Sequence, residues 1–207
     1  NDYFNKTNIF PIDSEHFSIW TSLNEFNVND ITNLNNLIQN LYITASGGPF
    51  KNTPIKKFKN IKVDQATKHP TWKMGKKISI DSATLVNKLF EVIEAQRLFN
   101  IDIGKISIKI HPKSYIHSII EFKNGLIKIC AHEPNMSIPI INSLDKNLYY
   151  KPVFKTNFRL LNNLNFTNVD KKKFPVIKVI KKYPNHCSLF DTALVSINDE
   201  LVNLFLN

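Results

Sequence analysis

The sequence predicts an α+β fold: a mixed sheet with helices packed on it, followed by a linker and a truncated helical C-terminal region. Three observations carry that expectation. Short runs rich in isoleucine and tyrosine, LYITA at 41–45, KISIKI at 105–110, YIHSIIEF at 115–122 and LIKICA at 126–131, have the length and branched composition of strands. The last two flank KNG at 123–125, and Asn-Gly is a strong hairpin signal. An apolar run from Ser82 to Asn100 has helical spacing, and strands and helices do not alternate as a doubly wound sheet requires.

In chain order, NDYFNKTN is a ragged lead-in and residues 9–12 read as a short strand carrying Pro11. Ser14 is placed to cap a helix through about Leu23, with Phe17, Trp20 and Leu23 on its inner side. Residues 24–40 are asparagine-rich and read as a surface connection, and SGGPF stops the strand that follows at 41–45. A short helix is expected near 63–68. EPNMSIPI closes the hairpin region, asparagines, lysines and Pro152 mark 144–173 as a linker or loosely packed arm, and a last helix begins near Phe190.

The 207 residues suffice for one domain or two small ones with a real core, and 43% hydrophobic content argues against disorder. No apolar run approaches the roughly 18 residues of a membrane span, which excludes a helical membrane protein on this stretch of chain. Cys130 and Cys187 match no metal or redox spacing, so a reduced, intracellular setting is expected, and Cys130 reads as a core residue. The net charge of +10 is almost all lysine, since Arg97 and Arg159 are the only arginines. Apart from Lys171-Lys172-Lys173 the lysines are dispersed, which speaks against nucleic acid as a partner.

Four places carry chemistry. Asp13 and Glu15, two apart at a strand end, point their carboxylates one way, and such a pair either favours a helix N-terminus or shares a hard cation that Glu91 would help hold. In the long helix Thr84, Asn87, Lys88, Glu91 and Glu94 form a narrow polar stripe between two apolar faces, which is either a solvated edge or the wall of a pocket. Ser46-Gly47-Gly48 after a strand offers an anion-binding nest, with Ser82 at the start of the long helix and Lys88 one turn in as further anion ligands. Trp72 and Met74 lie two apart among lysines, so in extended chain both face one side and either plug a core or close over a ligand. His111 and His117 lack a third ligand for zinc.

Read together, IFPIDSEH, TASGGPF, HPTWKMGKKISIDSATLVNK, HPKSYIHSIIEFKNG and EPNMSIPI, in that order, resemble the catalytic domain of the 1-deoxy-D-xylulose 5-phosphate reductoisomerase family. The likeness spans 9–144; beyond it KKFPVIKV and TALVSINDEL carry only a faint one. The resemblance implies a catalytic domain at 1–145, a linker at 146–173 and the start of a C-terminal helical region at 174–207. It implies that Asp13, Glu15 and Glu91 bind Mg²⁺ or Mn²⁺, and that Glu15, Glu91, Lys88 and His69 take part in catalysis. Ser14, Ser46, His69, Trp72, Met74, Ser82, Asn87, Lys88, Glu91 and His117 would hold a sugar phosphate, with His69 to Met74 as a mobile lid. The implied reaction is rearrangement of 1-deoxy-D-xylulose 5-phosphate and reduction by NADPH to 2-C-methyl-D-erythritol 4-phosphate, on the way to isoprenoids.

The resemblance also implies a homodimer and a bacterial cytoplasm, a plastid being the second choice. No glycine-rich dinucleotide motif occurs, so the NADPH site is expected mostly outside this stretch of chain, and a substrate-binding lysine just before residue 1 is missing. Ala45, Leu89, His132 and Asn135 depart from the family's pattern, and DKNLYYK replaces its motif after Leu144. The rival expectations are a non-catalytic remnant of that enzyme and a basic nucleic-acid-binding module.

Overall fold

The computed structural model describes residues 9–24, 34–144, 158–184 and 188–207. Its centre is β1 (Ile38–Ala45), flanked by β2 (Ile106–Ile110), β3 (Ile116–Phe122), β4 (Ile127–Ala131) and β5 (Thr167–Asn168) in the order β4-β3-β1-β2-β5. β1 runs parallel to β2, pairing Leu41 with Ile106 and Ala45 with Ile110. β3 and β4 pair antiparallel on the other side, and β5 caps the β2 edge, also antiparallel. The Asn124-Gly125 turn joins β3 to β4 as its sequence predicts, with Gly125 at φ 86°.

Helices cover one face. α1 (Ser14–Leu23) lies over β3 and β4, while the long helix of the 82–100 region lies over β1 and β2. Leu41, Ile43, Ile19 and Val92 are fully buried between the layers, and each such side chain contributes about 2 kcal/mol by leaving water. On the open face Asn40 and Tyr42 are half-exposed and both donate to Glu121, at 2.7 and 3.1 Å. Ile127 and Ile129 are 55% and 50% exposed there.

Several expectations change. Residues 9–12 are irregular rather than a strand, consistent with Pro11 lacking a ladder donor. Within 24–40, Leu34–Leu37 forms a helical turn (α2), and β1 starts three residues earlier than expected because Ile38 is buried and paired with Phe122. The helix expected at 63–68 is α3 (Val63–Ala66).

The single helix expected over 82–100 is two. α4 (Lys76–Thr84) ends at Leu85, whose φ of 62° breaks the helical run, and α5 (Val86–Phe99) starts beyond it. A leucine tolerates left-handed backbone poorly. Leu85 is 99% buried in the core, which offsets the strain. A further helix, α6 (Ser137–Leu144), begins within EPNMSIPI and runs four residues past it.

Of the stretch expected as a linker, 145–157 lies outside the described residues. The remainder holds α7 (Phe158–Leu161) and β5, and Phe174 and Ile177 just beyond it join the main core. The final helix, α8 (Phe190–Leu206), begins at the expected residue. Cys130 is half-buried on the outer strand rather than in the core.

Candidate active site

The carboxyl ends of parallel strands in a sheet are where connecting loops can gather around a ligand. Here Ser46 follows β1 and the 111–115 loop follows β2, tied together by the His111 N–H donating to the Ala45 carbonyl at 2.7 Å. α1 brings Asp13, Ser14 and Glu15 from one side, α5 brings Asn87, Lys88 and Glu91, and Ser82 comes from the last turn of α4. With His69, Trp72, Met74 and His117 these residues line one cavity of about 90 Å³. Every residue that the family resemblance assigns to the site therefore lines one cavity, whereas Thr84 and Glu94 of the polar stripe and His111 do not. Thr44, Ser114 and Met136 complete the wall and were not foreseen.

The polar stripe divides at Leu85. Asn87, Lys88 and Glu91 face the cavity, whereas Thr84 turns back to the Ile80 carbonyl and Glu94 stays exposed. Ser82 does not sit at a helix N-terminus either: it ends α4, so it offers a hydroxyl without the free backbone N–H groups expected there.

Asp13, Glu15 and Glu91 each present one oxygen, all within 4.8 Å of one another. Lys88 is the cation among them. Its ammonium donates to Glu15 Oε1 at 2.5 Å and to the two oxygens of Glu91 at 2.9 and 2.7 Å. Burial raises the carboxyl of Glu15, but Lys88, His117 and the Ser14 hydroxyl hold it down at about 2. Glu91 goes the other way: burial and the charge of Glu15 outweigh Lys88 and push it well above the ordinary carboxylate range. Three carboxyl groups meet one ammonium here, and oxygen-only donors at this spacing suit a hard divalent ion, whose charge would favour the ionised form of Glu91. The residues fit Mg²⁺ or Mn²⁺.

His16 supports that cluster. It is fully buried, its Nδ1 lies 2.8 Å from Asp13 Oδ2 and its Nε2 lies 2.9 Å from the Glu91 carbonyl. Both partners are acceptors, an arrangement that favours the doubly protonated ring. Burial opposes the charge, but Asp13, Glu94 and the Glu91 carbonyl raise its pKa above the usual value. The residue was legible as the fourth letter of DSEH, one turn from Asp13, though its partner Glu91 is 75 positions away.

The glycine turn and the aromatic stretch are joined. His69 Nδ1 accepts from the backbone N–H groups of Thr71 and Trp72 at 3.1 and 2.8 Å. The ring hydrogen therefore sits on Nε2, which donates to Ser46 Oγ at 3.1 Å. Burial and the charge of Lys88 lower the pKa of His69, consistent with the neutral ring. Ser46 Oγ also accepts from Gly48 N at 3.1 Å, so its own hydrogen remains free to donate. Trp72 and Met74 are half-buried and line the cavity, while Thr71, Lys73 and Gly75 are exposed, the two-residue alternation expected of extended chain.

On the far wall His117 donates from Nε2 to the His132 carbonyl at 3.1 Å, and the two rings stack 3.8 Å apart. Burial, partly countered by Glu15, lowers the pKa of His117 to about 4, so it is neutral near pH 7. His132 occupies the position noted as a departure from the family. His111 points elsewhere, stacked on Phe166 at 4.9 Å.

A family model for the 1-deoxy-D-xylulose 5-phosphate reductoisomerase C-terminal domain matches residues 9–99, and a second, for the DXP reductoisomerase C-terminal domain, matches 132–207. The chain belongs to the 1-deoxy-D-xylulose 5-phosphate reductoisomerase family. The enzyme of that name from Pelagibacter ubique is 52% identical over 206 residues, covering 98% of this chain and 50% of the relative. That from Persephonella marina is 40% identical over 201 residues, covering 97% and 52%. A crystal structure of DOX-P reductoisomerase in complex with NADPH, fosmidomycin and magnesium superposes with a TM-score of 0.82 at 35% identity, covering 96% of this chain and 50% of that one. The chain spans about half the length of the curated relatives it matches. The likeness also runs through the C-terminal third, where the sequence motifs had faded after Leu144.

Proposed function

We propose that this chain supplies the metal- and substrate-binding half of an NADPH-dependent reductoisomerase that converts 1-deoxy-D-xylulose 5-phosphate to 2-C-methyl-D-erythritol 4-phosphate. The observation that carries the reading is the convergence of three carboxylates from two helices on one point, beside a serine- and lysine-lined cavity. We assign the site to a catalytic domain at 1–145, and Phe174 and Ile177 from beyond it join the main core.

Asp13, Glu15 and Glu91 would hold the divalent ion, with the Asp13 carboxylate oriented by His16, which also ties α1 to the backbone of α5 at Glu91. When bound, such an ion acts as a Lewis acid on substrate oxygens during rearrangement of the carbon skeleton. Ser46 donates its free hydroxyl hydrogen to the phosphate, and Ser82 and Asn87 line the same wall. Lys88 balances charge between the carboxylates and the phosphate, and Ser14 and His117 face the sugar. These contacts anchor a non-reacting end of the substrate and orient the rest. The cavity, about 90 Å³, is narrow for a five-carbon sugar phosphate, and we assign the stretch from His69 to Met74 as the lid that lifts to admit it. Closed, Trp72 and Met74 exclude water from the intermediates.

NADPH and magnesium accompany the related crystal structure. We assign most of the NADPH contacts to protein outside the present stretch and propose a homodimer, with the half-exposed isoleucines of the open sheet face as the natural contact. Among the described residues no helix is long and apolar enough to cross a membrane. The test is calorimetric titration of the chain with fosmidomycin, with and without Mn²⁺. Metal-dependent binding supports the proposal, and absence of binding in both conditions contradicts it.

A further inference from the structure

Ser114 is the one cavity-lining serine among the described residues whose buried hydroxyl has no hydrogen-bond partner. It is 93% buried. Its backbone is in the left-handed region, φ 50°, where serine is uncommon. The loop holds it there from both sides. The Ser114 N–H donates to the His111 carbonyl at 3.0 Å, His111 is tied to Ala45, and the neighbouring Tyr115 carbonyl accepts from His132 N at 3.0 Å. A buried hydroxyl without a partner is a cost to the fold, and a strained backbone persists only where its surroundings enforce it. Both costs fall on one residue, at the carboxyl end of β2, beside the Ser46 turn at the end of parallel β1.

We infer that Ser114 is a substrate-binding residue, its hydroxyl kept unpaired within the protein so that it can hydrogen-bond an oxygen of the bound sugar phosphate. The inference rests on the functional reading above. Substrate oxygens complete the hydroxyl's hydrogen bonding, so the empty partner position is filled in the complex instead of in the protein.

The test compares the full chain with Ser114→Gly and Ser114→Ala by calorimetric titration with fosmidomycin in Mn²⁺ and by thermal unfolding without ligand. Glycine accepts this φ and removes the hydroxyl, so Ser114→Gly should unfold at the same or a higher temperature while binding fosmidomycin about threefold to tenfold more weakly. A parallel titration with inorganic phosphate locates the contact: weakened phosphate binding places it at the phosphate end, unchanged phosphate binding at the remainder of the ligand. Unchanged fosmidomycin affinity in both variants overturns the inference, as does weaker binding accompanied by an equally lowered unfolding temperature. A parent chain that binds no fosmidomycin at all overturns the functional reading itself, and this inference with it.

Discussion

His69 donates from Nε2 to Ser46 Oγ across 3.1 Å, and through Nδ1 it holds the backbone N–H of Trp72 at 2.8 Å. One imidazole thus ties the turn after β1 to the stretch that roofs the cavity. His69→Ala removes both ties without opening the core, since the residue is only half-buried. The expected result is fosmidomycin binding weakened at least tenfold, with thermal stability changed by less than about 1 kcal/mol. Titration and unfolding of the same variant check it.

Gly48 lies at φ 65°, and a Cβ added there would sit 2.9 Å from the Ser82 carbonyl oxygen and 3.2 Å from Ala83 Cα. Those are backbone atoms of α4, so the turn cannot relax without moving Ser82. Gly48→Ala is expected to cost about 2 kcal/mol in chemical denaturation and to weaken anion binding as well.

Asp81, beside Ser82, accepts from Asn198 of α8 at 2.8 Å and from the Lys77 ammonium at 2.9 Å. The C-terminal helix thereby steadies the helix that carries Ser82. Asp81→Ala leaves the Asn198 amide without its partner, and a loss of about 2 kcal/mol is expected. The Lys77 share of that loss is small because Lys77 is half in water. Denaturant unfolding of Asp81→Ala against Asn198→Ala checks the coupling: similar single losses and a double variant no worse than either single variant are expected.

How much of this was readable from the chain follows from the range of each interaction. The hairpin at Asn124-Gly125, α1 and the facing of Trp72 and Met74 depend on neighbours in sequence, and each was visible in spacing alone. The break at Leu85 was not, because leucine carries no signal for left-handed backbone and what secures it is burial in a distant core. For the same reason the sequence places Ser82 at the start of a helix and the structure in the last turn of one. Ser114 carries no sequence signal, because what distinguishes it is a buried hydroxyl without a partner, which only the surrounding structure reveals. From the residues alone Asp13 and Glu15 fit a helix N-terminus as well as a shared ion with Glu91, and the family resemblance is what favours the ion.

Acid sensitivity should be traceable to His117. In the unfolded chain a histidine titrates near 6.5, whereas folded His117 resists protonation down to about 4. Above 6.5 both states are neutral and nothing changes. As pH falls from 6.5 to 4 the unfolded state gains a proton the folded state refuses, so stability falls, by about 3 kcal/mol at most. His69 and His132, also lowered, act in the same direction, and His16, raised, acts against them. Unfolding free energies of the parent and His117→Gln, measured from pH 7 to 4.5, should converge as the pH falls.

The open sheet face makes a separate prediction. Ile129 is half-exposed on β4, beside Ile119 of β3. If a second copy covers this face, Ile129→Glu should give a monomer in sedimentation with the fold intact by circular dichroism.

Mn²⁺ binding followed by electron paramagnetic resonance, on the parent chain and on Glu91→Gln, reads the proposed cation site of Asp13, Glu15 and Glu91 without substrate or cofactor. One Mn²⁺ per chain is expected, lost in Glu91→Gln, with the metal-free variant at least as stable as the parent because a buried carboxylate has been neutralised. A parent chain that binds no Mn²⁺, or a variant that binds it equally well, rules out a cation shared by these three residues.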